Sequence, residues 1–498
     1  MSLQPSPEIS APALETGKRA LVADAAWASM TGALSGGVVM VAFALELGAG
    51  PRAIGLLGAI PFMAQAAQLP AIFLVERVRR RKLIGIPILT LARLVILLLA
   101  VLPMLPGSQP RLALLLLAQV LICTLSSTAS CAINAWFHQL LSPSELGVFF
   151  SRRLLWATGV ACVCTLAAGA LVEHPPLGSR MLAFSLCFGL AGMAGLLSSA
   201  SLYRCPEPVM QACGPVRRMR DELRAPFADR GFRSLLITLM SWNLASNLVA
   251  PFLTVYLMQQ LGYGLGEVTA LWVTSQVVNA ATLLAWGRVS DRLSNKSVLA
   301  VAVPLYFACM LGLVFVPVGA SPPLQLGYLA LLHALMGVAG GGIGLATGNL
   351  GMKLAPRDRG TAYLAAIGLV AAVSGGVAPL AGGVLAQWFS ERHLALLVRW
   401  VSPVNTREVS VLNFTHWEFL FALAALLGLY VMHAVSRIHE GSEGREVSER
   451  RVIQELGLEA LRTVNHISTV GGLLGSVFPF GRLAERRRSA RTRQAPTA

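Results

Sequence analysis

Twelve stretches of mostly apolar residues follow one another along the chain. Each approaches the roughly 20 residues that a helix needs to cross a hydrocarbon layer. They lie near residues 21–46, 53–75, 83–103, 112–136, 154–173 and 181–203, and then near 234–259, 267–287, 297–317, 324–349, 362–388 and 417–436. Breakers such as Pro103-Met104-Leu105-Pro106-Gly107 and Ser321-Pro322-Pro323 separate neighbouring runs. Composition leads to the same place. Only 13% of the 498 residues are charged and 55% are apolar, whereas a soluble protein carries about 25% charged residues and could not hide this much apolar surface in its cores. The expected fold class is an all-α membrane protein of about twelve spanning helices.

The polar start, Met1 to Thr16, and a first run too long for a signal core predict no cleaved leader. Cys123, Cys131, Cys162, Cys164, Cys187 and Cys309 fall inside apolar runs and are read as small hydrophobes. Cys205 and Cys213 lie in a basic loop, and their spacing matches no zinc pattern, so no metal or other cofactor is expected.

Loop charges predict orientation. With a cytosolic N-terminus, the short inner loops hold thirteen Lys and Arg residues, among them Arg77, Arg79 to Lys82, Arg152, Arg153, Arg288, Lys353 and Arg359. The outer loops hold six: Arg52, Arg111, Arg180, Arg392, Arg399 and Arg407. Both termini are therefore expected in the cytosol and the chain in the cell (inner) membrane. The net charge of +16 needs no nucleic acid, because basic residues gather beside anionic lipid headgroups.

The chain also repeats itself. A displacement of 215 residues brings Trp27 onto Trp242, Glu76 onto Asp291, Arg77 onto Arg292 and Arg81 onto Lys296. A displacement of 213 brings Pro143 onto Pro356, Gly147 onto Gly360 and Phe150 onto Tyr363. Six helices per copy leave the two copies in the same orientation, related by a pseudo-two-fold axis along the membrane normal. The expected organisation is a cytosolic segment at 1–20, a six-helix bundle at 21–203, a cytosolic linker at 204–233, a second bundle at 234–436 and a basic cytosolic tail at 437–498.

Between the second and third runs of the second half the chain reads Gly287-Arg288-Val289-Ser290-Asp291-Arg292-Leu293-Ser294-Asn295-Lys296. This loop resembles the signature loop of the major facilitator superfamily, Gly-x-Leu-Ala/Ser-Asp-Arg-x-Gly-Arg/Asn-Arg/Lys. The first-half copy, Ile72 to Arg81, is degenerate, with Ile72 for the glycine and Glu76 for the aspartate. The resemblance implies two bundles working by alternating access. It further implies that Asp291 faces the start of the fifth helix near Arg152 and Arg153, and Glu76 the start of the eleventh near Arg359, as latches. A charged turn obeying the positive-inside bias is the plainer reading.

Several polar side chains fall inside the runs. Asn243 and Asn247 are four apart on one face of the seventh helix, Gln276 and Asn279 pair on the eighth, and Gln65 and Gln68 on the second. Gln119 lies on the fourth helix and His333 on the tenth. The resemblance implies that helices one, four, seven and ten line a cavity flanked by two, five, eight and eleven, which makes these residues candidate substrate contacts. Interhelical hydrogen bonds, worth about 0.6 kcal/mol each, are the alternative. Arg93 is the basic residue deep in a run, read either as a functional charge or as a structural pair.

Gly340, Gly344 and Gly348, and Gly32 with Gly36, recur at a spacing that permits close helix approach. No Lys-Ser/Thr follows Gly340-Gly341-Gly342, so a phosphate-binding loop is not predicted. Gly375-Gly376-Val377-Ala378-Pro379-Leu380-Ala381-Gly382-Gly383 on helix eleven looks like the glycine-proline element that drug antiporters carry on helix five. In the tail, Val452, Ile453, Leu456, Ala460 and Val464 recur at helical spacing before the basic stretch Arg482 to Arg493, consistent with an interfacial helix or with a disordered tail.

These features predict a secondary transporter for a small organic solute, with proton-coupled efflux as one form, working as a monomer among membrane lipids. A membrane-embedded lipid- or glycan-modifying enzyme and a non-transporting sensor or assembly factor are the alternatives. The enzyme would need a nucleophile, carboxylate or His cluster at one interface, and none is evident.

Overall fold

The computed structural model describes residues 5–6, 9–140, 146–210, 219–317, 321–356, 360–401, 406–440 and 452–458. Among these, twelve helical segments are long and apolar enough to span a membrane: Ala11–Glu46, Pro51–Val78, Arg81–Met104, Ser108–Phe137, Arg152–Glu173, Arg180–Tyr203, Arg230–Gln260, Leu265–Arg292, Asn295–Phe315, Pro322–Leu354, Ala362–Phe389 and His416–Ser436. They are called here the first to twelfth spans. Every predicted run is one of them. The first starts at Ala11, ahead of the apolar run, because polar residues extend it beyond the lipid-compatible stretch.

Three spans are broken where a glycine or a proline interrupts the regular helix. The first divides at Gly36 and Gly37, the latter at φ +49°, a conformation that favours glycine. In the second, Pro70 lacks an N–H for the carbonyl of Ala66, and a 3₁₀ turn over Ala64–Ala67 takes up the mismatch. In the seventh, Pro251 removes the ordinary donor to the Asn247 carbonyl, so the helix stops at Asn247 and restarts at Ala250.

The chain groups into two compact units. The first contains Met1–Met219, Asn243–Val273 and Gly368–Ala424, and the second Arg220–Trp242, Thr274–Ile367 and Ala425–Ala498. In the first unit, Phe43 packs on Phe184 and Phe188 with ring centroids 5.1 Å apart in both pairs. Trp136 is fully buried and its indole N–H donates to the Pro206 carbonyl at 2.8 Å. In the second unit, Trp286 is fully buried, donates to the Val338 carbonyl at 2.8 Å, and lies against Gly342.

Each unit closes one helix start in the same way. The third span begins at Arg81, whose backbone N–H donates to the carboxylate of Glu207, just past the sixth span, while Lys82 Nζ donates to the Cys205 carbonyl at 3.1 Å. The ninth begins at Asn295; its N–H and that of Lys296 donate to Glu440, just past the twelfth span, at 3.2 and 2.9 Å. Lys296 Nζ donates to the Ser436 carbonyl at 2.9 Å. A carboxylate at a helix start takes up orphan N–H groups and meets the positive end of the helix dipole.

The two caps differ in charge preference. Burial pushes the Glu207 carboxyl above its usual range despite its backbone hydrogen bonds to Arg81 and Lys82. Burial acts on Glu440 in the same direction, but the Lys296 N–H, Asn295 Nδ2 at 2.6 Å and Lys353 Nζ at 3.1 Å outweigh it and hold that carboxyl below its usual range. The proton-linked contribution of Glu440 is complete above the unfolded value of 4.5 and is lost as pH falls through the depressed folded value. That of Glu207 has the opposite sign: present at low pH, lost as pH rises through the raised folded value. Glu440→Gln is expected to cost about 1.5–3 kcal/mol at neutral pH, and Glu207→Gln to be near neutral. Thermal unfolding of the two variants at pH 7 checks this, and equal losses would contradict it.

Between the eleventh and twelfth spans stands a two-stranded hairpin that the sequence reading treats as an outer loop. β1 (His393–Val401) pairs antiparallel with β2 (Thr406–Thr415), from His393 opposite Thr415 to Val401 opposite Thr406, with a bulge at Leu396/Leu397. Of the tail, residues 452–458 form a helical turn with Val452 and Leu458 buried, and Glu455 pairs with Arg292 at 3.3 Å. Residues 437–440 of the tail are also described; residues 441–451 and 459–498, the linker cysteine Cys213 and Arg359 lie outside the described residues.

Candidate functional site

At the span ends remote from the termini, the first unit carries a seam built from glycines. Gly55 of the second span has no room for a side chain: a Cβ there would collide with the Pro379 carbonyl of the eleventh. A Cβ on Gly383 would lie 2.8 Å from the Pro51 carbonyl oxygen and 3.2 Å from Arg52 Cα. A Cβ on Gly58 would lie 3.0 Å from the Pro251 ring of the seventh span, and one on Gly382 would collide with the Leu248 carbonyl. Deeper, Gly375 lies on the Phe62 ring and Gly376 on Met63. The glycine-proline element of helix eleven thus joins the second, seventh and eleventh spans, on backbone at Gly55, Gly382 and Gly383 and on side chains at Gly58, Gly375 and Gly376.

The same unit holds a second glycine contact. Gly169 of the fifth span packs on Thr269 and Gly266 of the eighth, and the Glu173 carboxylate lies against Gly264 and Gly266 at the eighth span's first turn. There it meets the positive helix end.

The broken helices carry the amides. Gln65 lies within the 3₁₀ turn of the second span and Gln68 at its end, both half-buried. Asn247 is the last residue before the break in the seventh span, and its Nδ2 donates to the Asn243 carbonyl at 3.0 Å and to Asn243 Oδ1 at 3.3 Å. Interrupted helices at such positions are where transporters expose backbone and amide groups to a solute.

The other candidates are spread along the bundle. Gln119 is half-buried and bonds to Cys123 Sγ at 3.4 Å on its own helix. Gln276 is exposed on the eighth span, and Asn279 lies beside Gly340 and Gly341 of the tenth. His333 is fully buried, its Nδ1 2.8 Å from the Leu329 carbonyl. The glycine series on the tenth span departs from expectation. Gly344 and Gly348 face open space, and Gly337, Gly341 and Gly342 make the close contacts. Gly32 of the first span also faces open space. These small residues leave room where larger ones would fill it.

Of the loop residues, Glu76, Arg77, Asp291 and Arg292 are exposed, and Gly287 is half-buried. Arg292 is paired with Glu455, and Lys296 belongs to the helix start that Glu440 closes. Arg153, at the start of the fifth span, pairs with Asp24 at 3.3 Å. Asp24 is 5% exposed and also accepts from Ser198 Oγ at 2.7 Å. Arg93 lies along Gly195 of the sixth span and adds its charge to the same cluster. The Asp24 cluster, the glycine seam and both glutamate caps were not drawn from the sequence. For the caps, the findable signal was a carboxylate just past the last span of each half.

The sequence profile of the Major Facilitator Superfamily matches residues 25–379. An MFS-type transporter of Aspergillus terreus is 31% identical over 114 residues, a match covering 23% of this chain and 19% of that protein. Among solved structures, a point mutant of the nucleoside transporter NupG superposes with a TM-score of 0.64 at 11% identity, covering 84% of this chain and 99% of that one. A bacterial homolog of the human lysosomal transporter Spinster, inward-facing and unoccupied, gives 0.57 at 14% identity, covering 91% and 98%. At these identities the structural likeness speaks for the fold, and the profile match speaks for the family. The chain is a multi-pass membrane protein that belongs to the Major Facilitator Superfamily of transporters.

Proposed function

We propose that the protein carries a small organic solute across the cell membrane by alternating access, with both termini cytosolic and the two sequence halves, 21–203 and 234–436, as the moving bodies. The observation that carries this reading is the glycine seam. Contacts made through bare backbone between the second, seventh and eleventh spans can close tightly and separate without withdrawing long side chains. Amides rather than charges mark the breaks in the second and seventh spans. They donate and accept hydrogen bonds and suit an uncharged, polar solute. Export driven by a proton gradient is the form we favour.

The test is flux in proteoliposomes, using solutes that first raise the melting temperature of the purified protein. Asn247→Leu is expected to lower flux at least tenfold while the protein remains folded, since a site built to hydrogen-bond loses its partner. Flux indifferent to an imposed pH gradient and to uncoupler would remove the proton. No flux with any stabilising solute would remove transport.

A further inference from the structure

Within the second unit, a cavity of about 520 Å³ opens between the start of the seventh span and the end of the twelfth. Its mouth is cationic. Arg230 and Arg233 line it from the seventh span, Arg437 from just past the twelfth, and His433 and His439 complete the rim. The acidic groups nearest in sequence, Asp229 and Glu440, do not line it: the Asp229 carboxylate accepts from the N–H groups of Gly231 and Phe232 and from the Tyr363 hydroxyl, and Glu440 closes the start of the ninth span. Among the described residues, no carboxylate lines the cavity to offset its positive charge.

The floor is of another kind. Ile237 and Tyr430 line the cavity and are 42% and 55% exposed. Each stands seven residues into its span from Arg230 and Arg437 respectively, about 10 Å along a helix axis. Six spans separate the start of the seventh from the end of the twelfth, so both ends share one membrane face, the face the termini share. A cavity with guanidinium groups at headgroup level and an aliphatic and a phenolic side chain some 10 Å deeper has the polarity profile of a glycerophospholipid.

We propose that this cavity is a binding site for an anionic phospholipid, its phosphate held by Arg230, Arg233 and Arg437 and its glycerol and first methylenes laid against Ile237 and Tyr430. Guanidinium groups suit phosphate oxygens, which they can meet with paired N–H donors, and basic pockets between spans on the cytosolic side are where lipid headgroups collect. Ser234, whose hydroxyl donates to the Gly231 carbonyl at 2.7 Å, leaves its oxygen at the pocket wall. The inference concerns a lipid site and stands apart from the solute pathway.

The experiment uses the full-length protein, delipidated in detergent, with lipid retention read by native mass spectrometry. Mixed micelles containing phosphatidylglycerol are compared with micelles of phosphatidylcholine, and inorganic phosphate is added as a separate arm. Phosphatidylglycerol is expected to be retained at least about tenfold over phosphatidylcholine, on the scale of the electrostatic gain per basic residue. The variant Arg230→Gln/Arg233→Gln/Arg437→Gln is expected to abolish that preference. Ser234→Glu, which sets a like charge beside the phosphate, should do the same in a chain that keeps all three arginines. Equal retention of the two lipids by the native protein, or an undiminished preference in both variants, overturns the proposal. Displacement of phosphatidylglycerol by millimolar phosphate would overturn it too, and would assign a soluble-anion site instead.

Discussion

Gly383→Leu is expected to cut transport at least tenfold while leaving the protein folded. A Cβ added at this position would lie 2.8 Å from the Pro51 carbonyl oxygen and 3.2 Å from Arg52 Cα, and backbone cannot swing aside as a flexible side chain can. Overpacking of this kind costs about 1–3 kcal/mol, charged only to the state in which the second and eleventh spans touch. That lowers the closed population by roughly 5- to 150-fold. Flux should fall by at least tenfold, Gly383→Ala should lie between the variant and the native chain, and a cysteine at Gln387, which stands one turn beyond Gly383 with its side chain toward Gly50 at the start of the second span, should react faster with a membrane-impermeant maleimide. Gly344→Ala, where an added Cβ would meet nothing within 4 Å beyond its own helix, serves as the steric control. If Gly383→Leu transports normally, the seam is packing and not a gate.

Asp24→Ala should produce the largest loss of stability among single changes in the first unit. Its carboxylate is 5% exposed and binds Ser198 at 2.7 Å and Arg153 at 3.3 Å, with Arg93 also bearing on it. Removing one member of a buried ion pair leaves a charge without compensation and costs about 3–5 kcal/mol. Arg153 keeps 28% of its side chain exposed and can partly rehydrate, so the stranded charge is chiefly that of Arg93. Asp24→Ala combined with Arg93→Met is therefore expected to recover about 1–3 kcal/mol relative to additivity. Thermal unfolding of the two single variants and the double closes the cycle. Strict additivity would show that Arg93 does not belong to the cluster.

What could be read from the sequence, and what could not, divides along physical lines. The spans were legible because crossing a hydrocarbon layer is a summed property of some 20 neighbouring residues, and each predicted run is found as a helix. The signature loop at Gly287 to Lys296 was legible as a pattern. Its nearest partners were not: Lys296 is tied to Glu440 and Ser436, and Arg292 to Glu455, all more than a hundred residues away along the chain. The seam escaped for a related reason. The glycines at 340, 344 and 348 and those at 375, 376, 382 and 383 look equally like packing glycines in one dimension, yet only the second group meets foreign backbone or rings throughout. Spacing reports which residues share a helical face and is silent on what that face meets. The hairpin escaped because Leu394 to Trp400, apolar but for Arg399, shows no strand-like alternation and does not stand out in a chain apolar almost everywhere.

The hairpin has a mechanical consequence. Its strands leave the eleventh span at Phe389 and enter the twelfth at His416, and pairing of His393 with Thr415 bolts those two ends together. Gln260, at the end of the seventh span, donates to Thr415 Oγ1 at 3.2 Å and so joins the same bolt. Whatever tilts the eleventh span must then swing the tip around Val401 and Thr406 through a wider arc than its base. A fluorophore attached at that tip would act as the needle of a dial, magnifying a small helix movement into one that can be watched in real time.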